Sequence, residues 1–215
     1  MREHEHGTNN RISQWALDDA LLFACRAGWE FFVQILISAG ADVDTRSPAG
    51  FSPLMVAAEE GNAHVVRLLL SNGAHAQHTN LAGETALKVA LYRGHLECAK
   101  ILLEEDNVAE ENLERLARYL ARAGRPEALK LLASHCNDEV SSQILLMPAV
   151  MSGDTEIVQS LLDRGADINM PSFDGDTALV AAVKYLRELR LINMVIFLVI
   201  NGAQAKQVLK LFLLW

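Results

Sequence analysis

The residues best suited to chemistry in this sequence are its closely spaced histidines. His75 and His78 are three positions apart, and His4 and His6 lie near the N-terminus. Two imidazoles make an incomplete zinc site because zinc takes four ligands, and no obvious carboxylate partner lies near His75 and His78 in the sequence. We therefore expect solvent-facing loop histidines, with no bound metal and no cofactor.

A second candidate is a run of arginines that recurs every three or four residues, as one face of a helix does. Such a stripe would bind an acidic partner. Alternatively it is a solvated helix face, because Glu111 and Glu114 each precede an arginine by four residues, the favourable orientation for ion pairs. Both interpretations stay open at this stage. The run consists of Arg115, Arg118, Arg122 and Arg125.

Motifs that carry catalysis are missing from the sequence. It contains no G-x-S-x-G elbow, phosphate-binding loop, HExxH zinc motif or dinucleotide-binding fingerprint. Its glycine-rich turns adjoin predicted helices and follow no strand. We therefore predict that the chain is not an enzyme and has no catalytic residues.

Composition limits the class of protein further. The 215 residues are 51% hydrophobic and 21% charged, which is typical of a folded core, and only 6% are aromatic, which favours helices over a β-sandwich. A net charge of −8 argues against a nucleic-acid partner.

Cysteine use and apolar runs bear on the compartment. Three scattered cysteines without a CxxC pair indicate a reducing compartment, so we expect a cytoplasmic protein, with secretion as an effector left open. The run Leu191–Ile200 is about half the length of a membrane crossing, so no membrane partner is expected.

The elements that position these residues follow from an internal period. Gly28, Gly61 and Gly94 lie 33 residues apart, and further glycine columns keep the same interval. Within one unit, Ser52 and Pro53 can begin a short helix that Gly61 ends, and NAHVVRLLL predicts a second, amphipathic helix. Helices this short are marginal alone and must bury their apolar faces against neighbouring units.

The "GAD" after the second helix (Gly40–Asp42, Gly165–Asp167) and the "G-x-[ST]-[PA]-L" opening resemble ankyrin repeats. The resemblance implies an all-α solenoid of stacked helix-turn-helix units, joined by β-hairpin fingers, with a concave surface made of fingers and first helices. We expect about six repeats, the fourth and last degenerate, at approximately 13–46, 47–79, 80–109, 110–137, 138–171 and 172–205. A disordered polar tail (1–12) precedes them.

Departures from the period predict irregular places. Gly94, Gly124 and Gly153 are spaced by only 30 and 29 residues, which predicts that fingers are missing in the middle of the array. The last unit reaches Gly202 late, so either its first helix is longer or a wider turn lies near Leu186–Leu191. The final residues, 206–215, are apolar and form a terminal helix or cap, a surface for self-association, or the cut edge of a longer array.

Partner-binding positions are implied by the same resemblance, which marks finger tips and first-helix ends as variable. Arg118 and Arg122 fall on the first helix of the fourth unit when it is registered on the others. The remaining candidates are Ala49, Phe51, Glu59, Glu60, Leu81, Glu84, Tyr92, Arg93, Phe173, Asp176, Lys184 and Tyr185.

The resulting hypothesis is a non-enzymatic scaffold or adaptor that binds a protein partner on its concave face. One alternative is a bacterial or phage-type effector, inhibitor or immunity protein that neutralises a partner protein. Another is an enzyme or enzyme regulator with a site in the fingerless middle, near Arg118 and Arg122.

Overall fold

A computed structural model describes residues 13–105, 110–136, 138–172, 175–184 and 189–203. These residues form helices and connecting loops, and no β-strand occurs among them. The predicted tail (1–12), Phe173, Tyr185 and the predicted cap (206–215) lie outside the described residues. The helices are α1 (Gln14–Ala27), α2 (Glu30–Ser38), α3 (Pro53–Glu60), α4 (Ala63–Ser71), α5 (Ala86–Arg93), α6 (Leu96–Glu105), α7 (Glu110–Arg122), α8 (Pro126–His135), α9 (Glu139–Ser152), α10 (Thr155–Asp163), α11 (Ala178–Lys184) and α12 (Leu189–Ile200).

The helices pack in two compact units, Met1–Ala90 and Leu91–Trp215, and the division falls within α5. In the first unit, α1 packs against α2 and α3, and α4 packs against α2 and α3. In the second unit, α9 packs between α7 and α11, while α8 contacts α6 and α10. Within each unit, successive first helices therefore contact one another (α1 with α3, α7 with α9, α9 with α11), and so do the second helices α2 with α4 and α6 with α8. The predicted all-α stack of helix pairs is confirmed.

Helix ends follow the signals read from the sequence. The Ser52 hydroxyl accepts a hydrogen bond of 3.3 Å from the backbone N–H of Met55, and Pro53 occupies the first helical position of α3. Gly61 ends α3 with a φ of 79°. In the second unit, the Asp154 carboxylate accepts hydrogen bonds from the N–H groups of Glu156 and Ile157 and so begins α10. The predicted cap and stop signals of α3 are confirmed.

Small and aliphatic side chains fill the core. Ala57 and Ala58 on α3 are fully buried, and Val66 and Leu69 on α4 are fully buried with them. Each buried leucine or valine contributes about 1.5–3 kcal/mol by leaving water. Burial also raises the pKa of the Cys25 thiol to about 12, so this cysteine is a small core residue.

Connections between helix pairs fall into two length classes. Long ones, at 39–52, 72–85 and 164–177, have fourteen residues each, whereas 136–138 has three. The long ones close in hairpin-like turns without strands: in the first, Ser47 N–H donates to the Phe51 carbonyl at 2.9 Å. Asn80 with Glu84 and Ser172 with Asp176 repeat this bond. Along the chain, the long connections therefore lie on either side of the short connection at 136–138.

The first two long connections, both in the first unit, approach closely. The Arg46 guanidinium donates to the carbonyls of Gly50 at 3.1 Å and Thr79 at 2.8 Å. Leu81 N–H donates to the Ala49 carbonyl at 3.3 Å. A β-carbon on Gly50, whose φ is 80°, would lie 3.0 Å from Leu81 N. Glycine at position 50 therefore permits the approach.

The last helix pair differs from the others in its second helix. The described part of α11 ends at Lys184, whereas α12 has 12 residues and α4 and α10 have nine each. The greater length of α12, compared with α4 and α10, therefore accounts for part of the late position of Gly202 in the last unit. Residues 185–188, on which the predicted wider turn partly falls, lie outside the described residues.

Candidate partner-binding site

Two tyrosines and an arginine meet at the ends of consecutive first helices. Tyr92 is in the last turn of α5, Tyr119 is in the last turn of α7, and Arg125 directly precedes α8. The two tyrosine ring centroids are 5.4 Å apart, and the Arg125 guanidinium carbon lies 5.9 Å from the centre of the Tyr92 ring. We call these three residues the tyrosine–arginine cluster, and all belong to the second unit.

The cluster is open to solvent. Tyr92 is 42% exposed, Tyr119 is 36% exposed, and Arg125 is exposed. Ring packing and the cation–π contact, each about 0.5–1 kcal/mol at such a site, hold the side chains in place before any partner binds. Aromatic and arginine side chains are those that protein interfaces use most often as anchors.

The apolar spacing of α7 determines which of its side chains face away from the core. Leu113, Leu116 and Leu120 face the core, which places Tyr119 and Arg122 on the opposite side of the helix. Within the arginine stripe, Arg118 forms an ion pair of 2.7 Å with Glu114. Arg122 and Arg125 are exposed. The ion pair expected of a solvated helix face is therefore present at Arg118, whereas binding of an acidic partner by the stripe stays a prediction.

The other predicted partner-binding residues of the second unit lie either next to the cluster in the chain or in a separate ion pair. Arg93 is exposed and adjoins Tyr92 in the chain. Asp176 and Lys184 form an ion pair with each other, with Nζ 2.6 Å from Oδ1. Phe173 and Tyr185 lie outside the described residues.

Predicted residues of the first unit form no single patch. Ala49 and Leu81 meet through the backbone bond described above, and the Leu81 side chain is 82% exposed. Phe51 is half-buried, which corrects the expectation of a solvent-facing tip: its N–H donates to the Ser47 hydroxyl at the base of the turn. Glu84 accepts a hydrogen bond of 3.1 Å from the Asn80 side chain, so its carboxylate braces the loop.

Two further predicted residues of the first unit are acidic and lie at the end of α3. Glu59 is half-buried and has a partner of its own. Glu60 is exposed and lies 3.7 Å from Arg26. An exposed ion pair of this length contributes little, about 0–1 kcal/mol, so Glu60 stays accessible to other cations.

Sequence reasoning missed a large aromatic surface on α1 and α2, which we call the N-terminal aromatic face. Ring contacts connect part of it: the centroids of Phe23 and Trp29 are 5.6 Å apart, and those of Trp29 and Phe32 are 5.7 Å apart. The signal was present, because EFFVQILIS is apolar around most of the helix and buries only Val33. The face consists of Trp15, Phe23, Trp29, Phe31, Phe32 and Ile35, all exposed.

Folding also brings a carboxylate to the histidines of the second connection. The Asp44 carboxylate lies 2.5 Å from Nδ1 of His75 and 3.4 Å from Nδ1 of His78. Burial by itself raises the pKa of Asp44, but hydrogen bonds from the backbone and ring of His75 and the charges of both imidazoles outweigh it, so the pKa is lowered. Asp44 precedes His75 by 31 positions, which is why no partner was visible near the histidines.

The comparisons with known proteins agree with the helix pairs. A family model described as ankyrin repeats (3 copies) matches residues 5–80, 21–115, 66–144 and 117–208. An ankyrin repeat domain from Acinetobacter baumannii is similar, with a TM-score of 0.65 and 20% identity over 86% of this chain and 98% of that one. So is a chain from the structure of a predatory endopeptidase of Bdellovibrio bacteriovorus in complex with an immunity protein, with a TM-score of 0.62 and 21% identity over 81% of this chain and 96% of that one. No curated protein sequence matches the chain significantly. Because the family matches together cover nearly the whole sequence, the chain belongs to the ankyrin repeat family.

Proposed function

We propose that the chain is a non-enzymatic adaptor that binds an acidic segment of a partner protein at the tyrosine–arginine cluster. The observation that carries the proposal is the contact of Tyr92 with Tyr119 and Arg125 at exposed first-helix ends. Ankyrin repeats serve protein–protein interaction, and first helices line the side of the array that the resemblance assigns to partners.

The chemistry of the cluster favours carboxylates. Arginine binds a carboxylate through two parallel hydrogen bonds, and tyrosine adds apolar area and a hydroxyl at small entropic cost. Arg93 and Arg122 adjoin the cluster, whereas the chain as a whole has a net charge of −8. A local basic surface on an acidic protein selects one orientation of an acidic partner and repels it elsewhere.

Preformed contacts add to the affinity. The side chains of the cluster are already packed on one another, so less rotamer freedom is lost on binding, about 0.5–1.5 kcal/mol for each long side chain that is held in advance. We expect affinity to depend on salt, because Arg–carboxylate contacts at an exposed surface are screened.

A capture experiment tests the proposal. The full chain and a Tyr92→Ala/Arg125→Ala variant are immobilised and exposed to native cell extract, and the bound partner is then titrated as a purified protein. We expect the double variant to bind at least about tenfold more weakly, since two anchors are lost. Lys100→Ala, an exposed cation on α6, is the matched control and should retain affinity.

Two results would contradict the proposal. One is equal affinity of the double variant and the parent chain when both show the same thermal unfolding. The other is a partner whose binding strengthens with added salt or is not displaced by its own acidic segment.

A second candidate function is inhibition of a partner enzyme, in the manner of an immunity protein. Its support is the structural likeness to a chain from an endopeptidase–immunity protein complex, at 21% identity. The same capture experiment separates the two, because an inhibitor abolishes a measurable activity of the captured protein and an adaptor leaves it intact.

A further inference from the structure

Three side chains that ligate metals converge in the first unit, between the connections 39–52 and 72–85. One ligand atom of each of Asp44, His75 and His78 lies within 4.8 Å of those of the other two. The two oxygens of the Asp44 carboxylate are directed at different rings: Oδ2 is 2.5 Å from His75 Nδ1, and Oδ1 is 3.4 Å from His78 Nδ1. The imidazoles stack with centroids 5.0 Å apart.

One of these atoms is left without a hydrogen bond. Nδ1 of His78 is shielded from solvent and has no hydrogen-bond partner, because its approach to Asp44 lacks hydrogen-bond geometry. A buried polar atom without a partner costs about 1–3 kcal/mol. A metal ion bound to the same carboxylate would use the lone pair of this nitrogen.

The equivalent loops supply an internal comparison. Where the second connection has His75 and His78, the first has Asp42 and Thr45 at the same distance from its glycine. The third has Asp167 and Met170 there, and Asn169 where the first has Asp44. The Asn169 N–H still bonds locally, at 2.8 Å to Asp167, so these loops do not require histidines. The two imidazoles and the carboxylate therefore lie together at one pair of connections, although the fold of the connections does not require these residues.

We propose that Asp44, His75 and His78 bind a divalent transition-metal ion of the zinc class. Two imidazole nitrogens and one carboxylate oxygen are the donors that zinc prefers, and three protein ligands leave one position for water or a partner's side chain. Ligands of one zinc ion lie roughly 3.3 Å apart in a tetrahedron, so small rotations of His75, which is largely exposed, complete the geometry.

Titration of the full chain with zinc chloride tests the site. After chelator treatment and dialysis, calorimetry should show one zinc ion bound per chain, and zinc should raise the unfolding temperature because the ion binds the folded state. Asp44→Asn retains an acceptor for the backbone N–H of His75 but loses the carboxylate. His78→Thr introduces the residue that the first long connection has at the equivalent position, Thr45. Each should weaken zinc binding at least about tenfold.

The controls separate a built site from scattered histidine binding. His64→Ala removes an isolated exposed imidazole on α4 and should leave zinc affinity unchanged. In the presence of chelator, His78→Thr should unfold at or above the temperature of the parent chain, because the variant removes the unpartnered nitrogen. Bound cobalt should show the visible absorption of a low-coordinate site, and Asp44→Asn should abolish it.

Three outcomes would overturn the proposal: several weak sites insensitive to Asp44→Asn, loss of zinc binding in a His4→Ala/His6→Ala variant, or no bound zinc at millimolar concentration. Because Asp44, His75 and His78 belong to the first unit, these results are independent of the tyrosine–arginine cluster.

Discussion

Gly28 and Gly124 end the helices α1 and α7 in the same left-handed conformation, with φ of 72° and 64°. Their surroundings differ. A β-carbon on Gly28 would lie 2.7 Å from Oδ1 of Asn62, whereas nothing lies within 4 Å of one on Gly124. The Asn62 amide donates to the carbonyls of Cys25 at 2.9 Å and Arg26 at 3.1 Å. Position 28 is therefore limited to glycine by conformation and by contact.

Alanine substitution separates these two causes. Gly124→Ala should cost about 1 kcal/mol of unfolding free energy, from the left-handed backbone alone. Gly28→Ala should cost at least about 1 kcal/mol more, because Asn62 must move and weaken its two bonds. Urea unfolding of both variants measures the difference. Equal losses would mean that Asn62 shifts freely and that its bonds contribute nothing.

At this scale the sequence predicts local chemistry and misses contacts between repeats. Ser52, Pro53 and Gly61 act on neighbours within a few residues, so their roles could be read directly. The Asp44–His75 contact joins residues 31 positions apart, and only the stacking of loops reveals it. Phe51 is half-buried although a solvent-facing tip was expected, and its N–H donates to the Ser47 hydroxyl, while its role in partner binding stays a prediction. Nothing in the residues around Phe51 in the sequence predicts this burial.

Among the helices, α8 shows how a repeat is held where no long connection follows it. The Arg164 guanidinium, just beyond α10, donates to the Cys136 carbonyl at 2.7 Å and to the Ala133 carbonyl. Both carbonyls belong to the C-terminal end of α8, where a helix leaves acceptors unsatisfied. A cation at that end is also favoured by the helix dipole. One side chain therefore joins two consecutive second helices.

We expect Arg164→Ala to lower the free energy of unfolding by about 1.5–3 kcal/mol, the range for hydrogen bonds to a charged group. Arg164→Lys should recover only part of this loss, because an ammonium group cannot span both carbonyls as the guanidinium fork does. Thermal and urea unfolding of the two variants test the assignment. A loss below about 0.5 kcal/mol for alanine would show that solvent serves the α8 carbonyls equally well.

Elements were more predictable than residues because hydrophobic periods report on many positions at once. The interruption at Gly124–Pro126 separates α7 from α8 as predicted, and the short spacing of Gly124 and Gly153 indicated the missing long connection. The last pair was less predictable, since its second helix, α12, has 12 residues and departs from the length of the other second helices. The Arg164 contact had no local signal.

At the scale of the molecule, several large apolar side chains of the described residues are exposed on the helix pair α1 and α2. Phe31 is 74% exposed and Trp15 is 71% exposed, and both belong to the first helix pair. Exposed rings that contact one another, as those of Phe23, Trp29 and Phe32 do, are the kind of apolar patch that protein interaction sites contain. No helix among the described residues is long and apolar enough to span a membrane.

Replacing part of the N-terminal aromatic face should change surface behaviour more than stability. We expect Phe31→Ser/Ile35→Ser to bind less of a hydrophobic fluorescent dye and to elute earlier from a hydrophobic-interaction column. Its unfolding free energy should change by less than about 1 kcal/mol, since both side chains are exposed. Leu81→Ser removes an exposed side chain outside the face and serves as the control. Similar elution of the parent chain and the double variant would show that the face is covered in solution.

The same face gives the protein a spectroscopic property. The chain has three tryptophans, and Trp15 and Trp29 both lie on the aromatic face of α1 and α2. Their indoles are partly hydrated, so the emission of the native protein should lie toward longer wavelengths than that of buried tryptophan. A ligand that covers α1 and α2 should shift this emission to the blue, whereas zinc at Asp44 or a peptide at Tyr92 should change it little. Intrinsic fluorescence can thus report, without any label, whether the N-terminal aromatic face is occupied.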